Sequence, residues 1–143
     1  MIFAMMGVYT AREDKPMAEG KNIVLAIDDD KIQLAVFKGI LAKKYDLRTA
    51  NSASEAMNYI NNYPADAILL DFKMPDISGF DFLNDIRKIP GYVNVPIIII
   101  SGNEGKEFLD QAKASTAFAV MSKPVVPGDL IETIEKAISG KGQ

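Results

Sequence analysis

The segment AILLDFKMPDISGF, residues 67–80, runs an apolar stretch straight into Asp71, then into Met74, Pro75 and Gly79. A carboxylate gains nothing from lying at the tip of a buried strand, so Asp71 either caps the next element or does chemistry. Comparable positions recur along the chain. Asp28, Asp29 and Asp30 follow the aliphatic run NIVLAI, Ser101 and Gly102 follow VPIIII, and Lys123 and Pro124 follow AFAVMS. If these positions converge, the crowded carboxylates raise one another's pKa unless a cation neutralises them. The chain has no histidine and no cysteine. Oxygen ligands therefore remain, and they favour Mg²⁺, a small hard ion that binds through one or two carboxylates and phosphate oxygens. A carboxylate beside such an ion can attack phosphorus, while an ammonium and a hydroxyl spread the charge of the transferring group. Asp71 is best placed as nucleophile, Lys123 supplies the ammonium, Ser101 the hydroxyl, and Gly102 leaves room for a donor.

That convergence needs elements to position it. Strand signals over 22–27, 45–50, 66–70, 95–100 and 117–121 alternate with helical signals. Asp30 caps a first helix with Ile32, Val36, Phe37, Ile40 and Leu41 at helical spacing. Ser52 or Ser54 opens a second, with Ala56, Met57 and Ile60 on one face and Asn61, Asn62 and Pro64 at its end. A third carries Phe80, Leu83 and Ile86, a weaker fourth spans 104–114, and a fifth spans 129–139 with Leu130, Ile131, Ile134 and Ile138. Five strands, each followed by a helix, predict a doubly wound α/β fold with helices on both faces of a parallel sheet. In such folds ligands bind outside the carboxyl ends of the strands, where the sheet order reverses. Every residue singled out above falls at such an end. Met74 and Pro75 read as loop structure, and Gly79 as a close backbone approach.

Composition limits the alternatives. Sixteen basic and nineteen acidic residues among 143 leave a net charge of −3 at pH 7. Without a basic run, direct binding of nucleic acid is not expected. No apolar run is long enough to span a bilayer, and MIFAMMGV lacks the basic flank of a secretory signal. The absence of cysteine is compatible with a reducing, cytoplasmic setting. Residues 1–20 read as a flexible N-terminal extension and 21–143 as the domain, with Met17 a second candidate start.

From Lys21 to about Gly140 the chain resembles the receiver domain of two-component response regulators, in particular single-domain, chemotaxis-regulator-like members. The segments IVLAIDDD, ILLDFKMPDISG, PIIIISG and MSKP carry the resemblance, in that order. It implies the flavodoxin-like strand order 2-1-3-4-5. It implies phosphorylation of Asp71, with Mg²⁺ held by Asp29, Asp71 and the Lys73 carbonyl, and by Asp28 partly through water. Ser101 and Lys123 would contact the phosphoryl oxygens, and the Lys123–Pro124 peptide would be cis. Lys73 and Asn103 would flank the path of the hydrolytic water. Where the family commonly has Tyr or Phe this chain has Val120, and Phe118, on the same side of the strand, is the candidate to fill part of the gap.

The resemblance further implies a signalling receiver that catalyses its own phosphorylation and dephosphorylation, and not a turnover enzyme. With no histidine, the donor must act in trans, as a histidine kinase or a histidine phosphotransfer protein. Only 140–143 follow the last helix, so output is expected through a target protein, or through the next carrier of a relay, by a monomer or weak dimer. The uncapped Val125-Val126 corner points to docking on the face of the fourth helix, fifth strand and fifth helix. A second reading takes Asp28-Asp29-Asp30-Lys31 as the DxDx start of a haloacid-dehalogenase-like phosphatase, with Asp28 as nucleophile and Asp30 as acid/base. It leaves Asp71 and MPDISG unexplained. A third, a degenerate receiver that only binds, fits poorly with the full acidic, hydroxyl and lysine set.

Overall fold

Apolar side chains on both faces of a strand require cover on both sides, and the three central strands meet that requirement. In the computed structural model, which describes residues 20–102 and 105–140, the strands are β1 (Ile23–Ile27), β2 (Asp46–Ala50), β3 (Ala67–Asp71), β4 (Ile97–Ser101) and β5 (Ala119–Ser122). They alternate with α1 (Lys31–Leu41), α2 (Ala53–Asn62), α3 (Gly79–Arg87), α4 (Lys106–Ala114) and α5 (Pro127–Ser139). All pairings are parallel, in the order β2-β1-β3-β4-β5. The doubly wound fold and its strand order are as expected. Strands β1, β3 and β4 are buried throughout, whereas the edge strands β2 and β5 are partly exposed.

Alternation along the strands builds two cores. Ile23, Leu25, Ile27, Ile68, Leu70, Ile97 and Ile99 meet α2, α3 and α4 on one face. Val24, Ala26, Leu69, Ile98 and Ile100 meet α1 and α5 on the other. Local signals fix the helix starts. The Asp30 carboxylate accepts from the Ile32 N–H, the Ser52 hydroxyl from Glu55 and the Ser78 hydroxyl from Asp81, each satisfying a donor the helix itself leaves free. Ser52, not Ser54, is thus the cap of α2. Helix α5 starts at Pro127 on an N-cap, Val126, that makes no side-chain bond.

Helix α1 departs from its expected face. Leu34, Phe37 and Leu41 are buried, while Ile32 is 76% and Val36 44% exposed. At 3.6 residues per turn, Ile32 and Val36 point about 160° away from Leu34. Apolar residues lie on both sides of this helix, and spacing alone could not choose between them.

Arg87, at the end of α3, ties three segments together. Its guanidinium donates to the carbonyls of Tyr92 (3.0 Å), Val95 (2.6 Å) and Thr116 (3.0 Å) and to the Thr116 hydroxyl (2.9 Å). The loop before β4 and the loop before β5 are therefore held by one side chain, and burial lowers its pKa from the ordinary arginine value.

Candidate functional site

Register places the site. Ile27 pairs with Leu70, so Asp28, the next residue, comes level with Asp71 at the end of β3. Ser101 pairs with Ser122, which brings Lys123 just beyond the end of β4, and the Lys123 N–H donates to the Ser101 carbonyl at 2.7 Å. Strand β1 pairs with β2 on one side and β3 on the other, so the crevice between β1 and β3 is the point where the winding reverses.

The charged groups expected to meet do meet. The Lys123 Nζ lies 2.9 Å from Asp71 Oδ1 and 3.4 Å from Asp28 Oδ2. Asp28 is 1% and Asp71 5% exposed. Carboxylate oxygens of Asp28, Asp29 and Asp71 all lie within 4.8 Å of one another, with Asp29 exposed. Asp28 is oriented by accepting the Asp30 N–H at 2.9 Å. Ser101 is buried beside them, its hydroxyl directed to the Gly102 carbonyl at 3.2 Å. Gly102 is exposed. The Lys123–Pro124 peptide is cis. Lys73 is exposed, and its backbone bridges to Ser78. Gly79 packs where a Cβ would lie 2.9 Å from the Phe72 Cα, so the expected close approach is present. Asn103 and the extension over 1–19 lie outside the described residues.

Phe118 is 47% exposed, so no more than part of its ring is available to fill the space beside Val120. It stands just before the edge strand β5, with its N–H on the Ile97 carbonyl. Val120 itself is partly buried against the core shared with α4. Sequence reasoning missed an aromatic group beside Asp71. Phe72, Phe80 of α3 and Phe108 of α4 lie with ring centroids 4.7 to 5.4 Å apart. Its only sequence signal was a phenylalanine directly after Asp71.

Electrostatically the cluster is over-supplied with negative charge. Burial raises the Asp28 pKa above the ordinary carboxylate value, and the Asp30 N–H and Lys123 oppose this without cancelling it. Burial likewise raises Asp71, opposed by the Lys123 hydrogen bond and reinforced by the charge of Asp28. Burial alone would lower Lys123, but its hydrogen bond to Asp71 and the charge of Asp28 outweigh that, and its pKa rises. A carboxyl with a raised folded pKa contributes stability below its unfolded pKa and loses it as pH rises through the folded value. At pH 7 in a chelating buffer the carboxylates therefore weigh against folding. Asp28→Asn keeps the acceptor for the Asp30 N–H and leaves Lys123 paired with Asp71. It should raise Tm by a few degrees, because it removes a buried charge that repels the Asp71 carboxylate. Thermal unfolding in EDTA checks this, and an unchanged or lower midpoint would contradict it.

The family model for the response regulator receiver domain matches residues 24–135. The chain belongs to this family. This receiver is similar to a CheY-like response regulator receiver domain protein from Methanospirillum hungatei JF-1, with a TM-score of 0.79 and 28% identity, covering 86% of this chain and 98% of that one. It is 32% identical, over 59% of its length, to a probable cyclic di-GMP phosphodiesterase of Vibrio cholerae, of which it covers 19%. It is 27% identical, over 88% of its length, to the hydrogenase transcriptional regulatory protein HoxA of Cupriavidus necator, of which it covers 26%. The chain thus spans about a fifth to a quarter of these two relatives. The dehalogenase-like reading finds no support. Asp30, its acid/base, is turned into the cap of α1. Among the described residues, no helix is long and apolar enough to cross a membrane.

Proposed function

We propose that this receiver accepts a phosphoryl group on Asp71 from a phosphohistidine donor in a Mg²⁺-dependent reaction, and signals through protein contacts or passes the group on. The observation that carries the proposal is the Lys123 ammonium held between two buried carboxylates at the ends of adjacent strands. One lysine does not balance three carboxylates, and their all-oxygen donor set suits a hard divalent ion. Asp29, Asp71 and the Lys73 carbonyl would hold Mg²⁺, with Asp28 acting through water, and the bound ion would shield charge on the phosphoryl oxygens.

An Asp71 carboxylate oxygen attacks phosphorus in line. The new P–O bond forms as the P–N bond to the donor imidazole breaks, and the electron pair leaves with the nitrogen. Lys123, already 2.9 Å from Asp71 Oδ1, donates to a phosphoryl oxygen, and Ser101 turns its hydroxyl to another. The domain acts over 21–143, with 1–20 outside it, and it turns over no substrate besides its own phosphoryl group. Purified protein with acetyl phosphate and Mg²⁺ should gain one acid-stable, base-labile phosphoryl group, and EDTA should prevent it. Labelling that is indifferent to EDTA would contradict the proposal.

Lys73 stands two residues past Asp71, where the receiver resemblance puts the route of the hydrolytic water. A long cationic side chain there obstructs the water and favours a long-lived phosphorylated state. Lys73→Ala should speed dephosphorylation roughly tenfold, or about 1.4 kcal/mol of barrier. An unchanged decay of labelled protein would remove Lys73 from this role.

The donor is a histidine kinase or phosphotransfer protein acting in trans, in the cytoplasm, on a monomer or weak dimer. Output goes through the face of α4, β5 and α5. Within it, a cleft of about 480 Å³ opens between β5 and α5, lined by Val120, Pro124, Val126 and Asp129 among others, and Val126 is 57% exposed. Phosphotransfer profiling against purified kinases and phosphotransfer proteins identifies the donor.

A further inference from the structure

Helix α4 is held differently from the other helices. Phe108 is its one buried residue, whereas α1, α2, α3 and α5 each bury at least two. Like α5, it starts on an N-cap without a side-chain bond, here Gly105, and Leu109 beside Phe108 is 52% exposed. Burial of apolar surface is what fixes a short helix on a sheet, so the placement of α4 depends heavily on one ring.

That ring lies on the residue next to the acceptor. Phe108 meets Phe72 with centroids 4.7 Å apart and planes at 73°. Phe80 of α3 completes the group, at 5.3 Å from Phe72 and 5.4 Å from Phe108. Phe72 follows Asp71 directly, and its backbone is pinned on both sides. Its N–H donates to the Ile100 carbonyl and its carbonyl accepts the Gly79 N–H, each at 2.8 Å. The Phe72 backbone is thus tied to the end of β3 and to the start of α3, so a displacement of the strand end at Asp71 carries the Phe72 ring with it. Edge-to-face ring pairs are directional, so a turn of Phe72 alters the seat of Phe108. Across the sheet at β5, Val120 offers no ring that could turn instead.

We infer that the Phe72–Phe80–Phe108 group couples the acceptor site to α4. This deepens the proposed function and rests on it. Loading Asp71 shifts α4, and by reciprocity a partner that grips α4 changes the affinity of the loaded site by the same factor.

Backbone amide shifts, recorded with Mg²⁺ before and after adding beryllofluoride as a phosphoryl mimic, test the coupling. Wild type should respond around Asp71 and along 106–114. Phe108→Leu and Phe72→Leu should keep the response around Asp71 and lose it along α4, while Leu109→Ala, on the same helix outside the ring group, should behave as wild type. Thermal unfolding confirms that each variant is folded. Phe72 is only partly buried, so its variant carries the test even where Phe108→Leu is too unstable. Ring variants with a wild-type response along α4 overturn the inference and leave the receiver reading intact. A wild type with no response at Asp71 overturns both.

Discussion

Asp71→Asn will take up no phosphoryl group from acetyl phosphate and Mg²⁺ under conditions in which the wild-type chain is labelled. An amide oxygen is a far weaker nucleophile than a carboxylate, and a neutral side chain also removes one of the charges that make the site a cation site. The loss will be chemical and not a failure to fold. Lys123 keeps Asp28 as its partner at 3.4 Å, and the Asp71 pKa is raised by burial, so removing its charge relieves the cluster. The variant should therefore melt no lower than wild type in EDTA. Intensity of the labelled species in intact-protein mass spectra checks the chemistry. Retained labelling would move the reaction away from Asp71.

Arg87→Met should destabilise the fold by about 2 kcal/mol, or roughly 5 to 10 °C in Tm. Methionine can occupy much of the space of the arginine stem, so lost packing is not the main cause. The cost comes from leaving the carbonyls of Tyr92, Val95 and Thr116 without this donor. Thermal unfolding measures it directly. A loss below about 0.5 kcal/mol, the range of an ordinary surface substitution, would show that water replaces the guanidinium without penalty.

These two residues also mark what the sequence does and does not carry. Asp71 was legible because its position combines two local facts, a continuous apolar strand and a loop that cannot be helical. The same holds for Asp28 and Lys123, since strand ends in a doubly wound sheet converge whatever the details of packing. Arg87 was not legible. Its partners lie up to 29 residues away in chain order and are mostly backbone carbonyls, which leave no mark in sequence. The face of α1 was misread for a related reason, because Ile32 and Val36 are as apolar as the buried Leu34 and Phe37. Phe118 shows the limit of strand alternation. The shared side with Val120 was inferable, but its exposure depends on where the cover over the edge strand ends. Strand limits shifted by a residue or two, enough to bring Asp71 and Ser101 into β3 and β4, without moving either from the sheet's carboxyl edge.

The central claim is that the acyl phosphate forms on Asp71, and borohydride trapping tests it most directly. Reduction of an aspartyl phosphate gives homoserine at the modified position, which peptide sequencing by mass spectrometry then locates. After treatment with acetyl phosphate and Mg²⁺, homoserine is expected at position 71 and nowhere else. Homoserine at position 28, with Asp71 intact, would contradict the account.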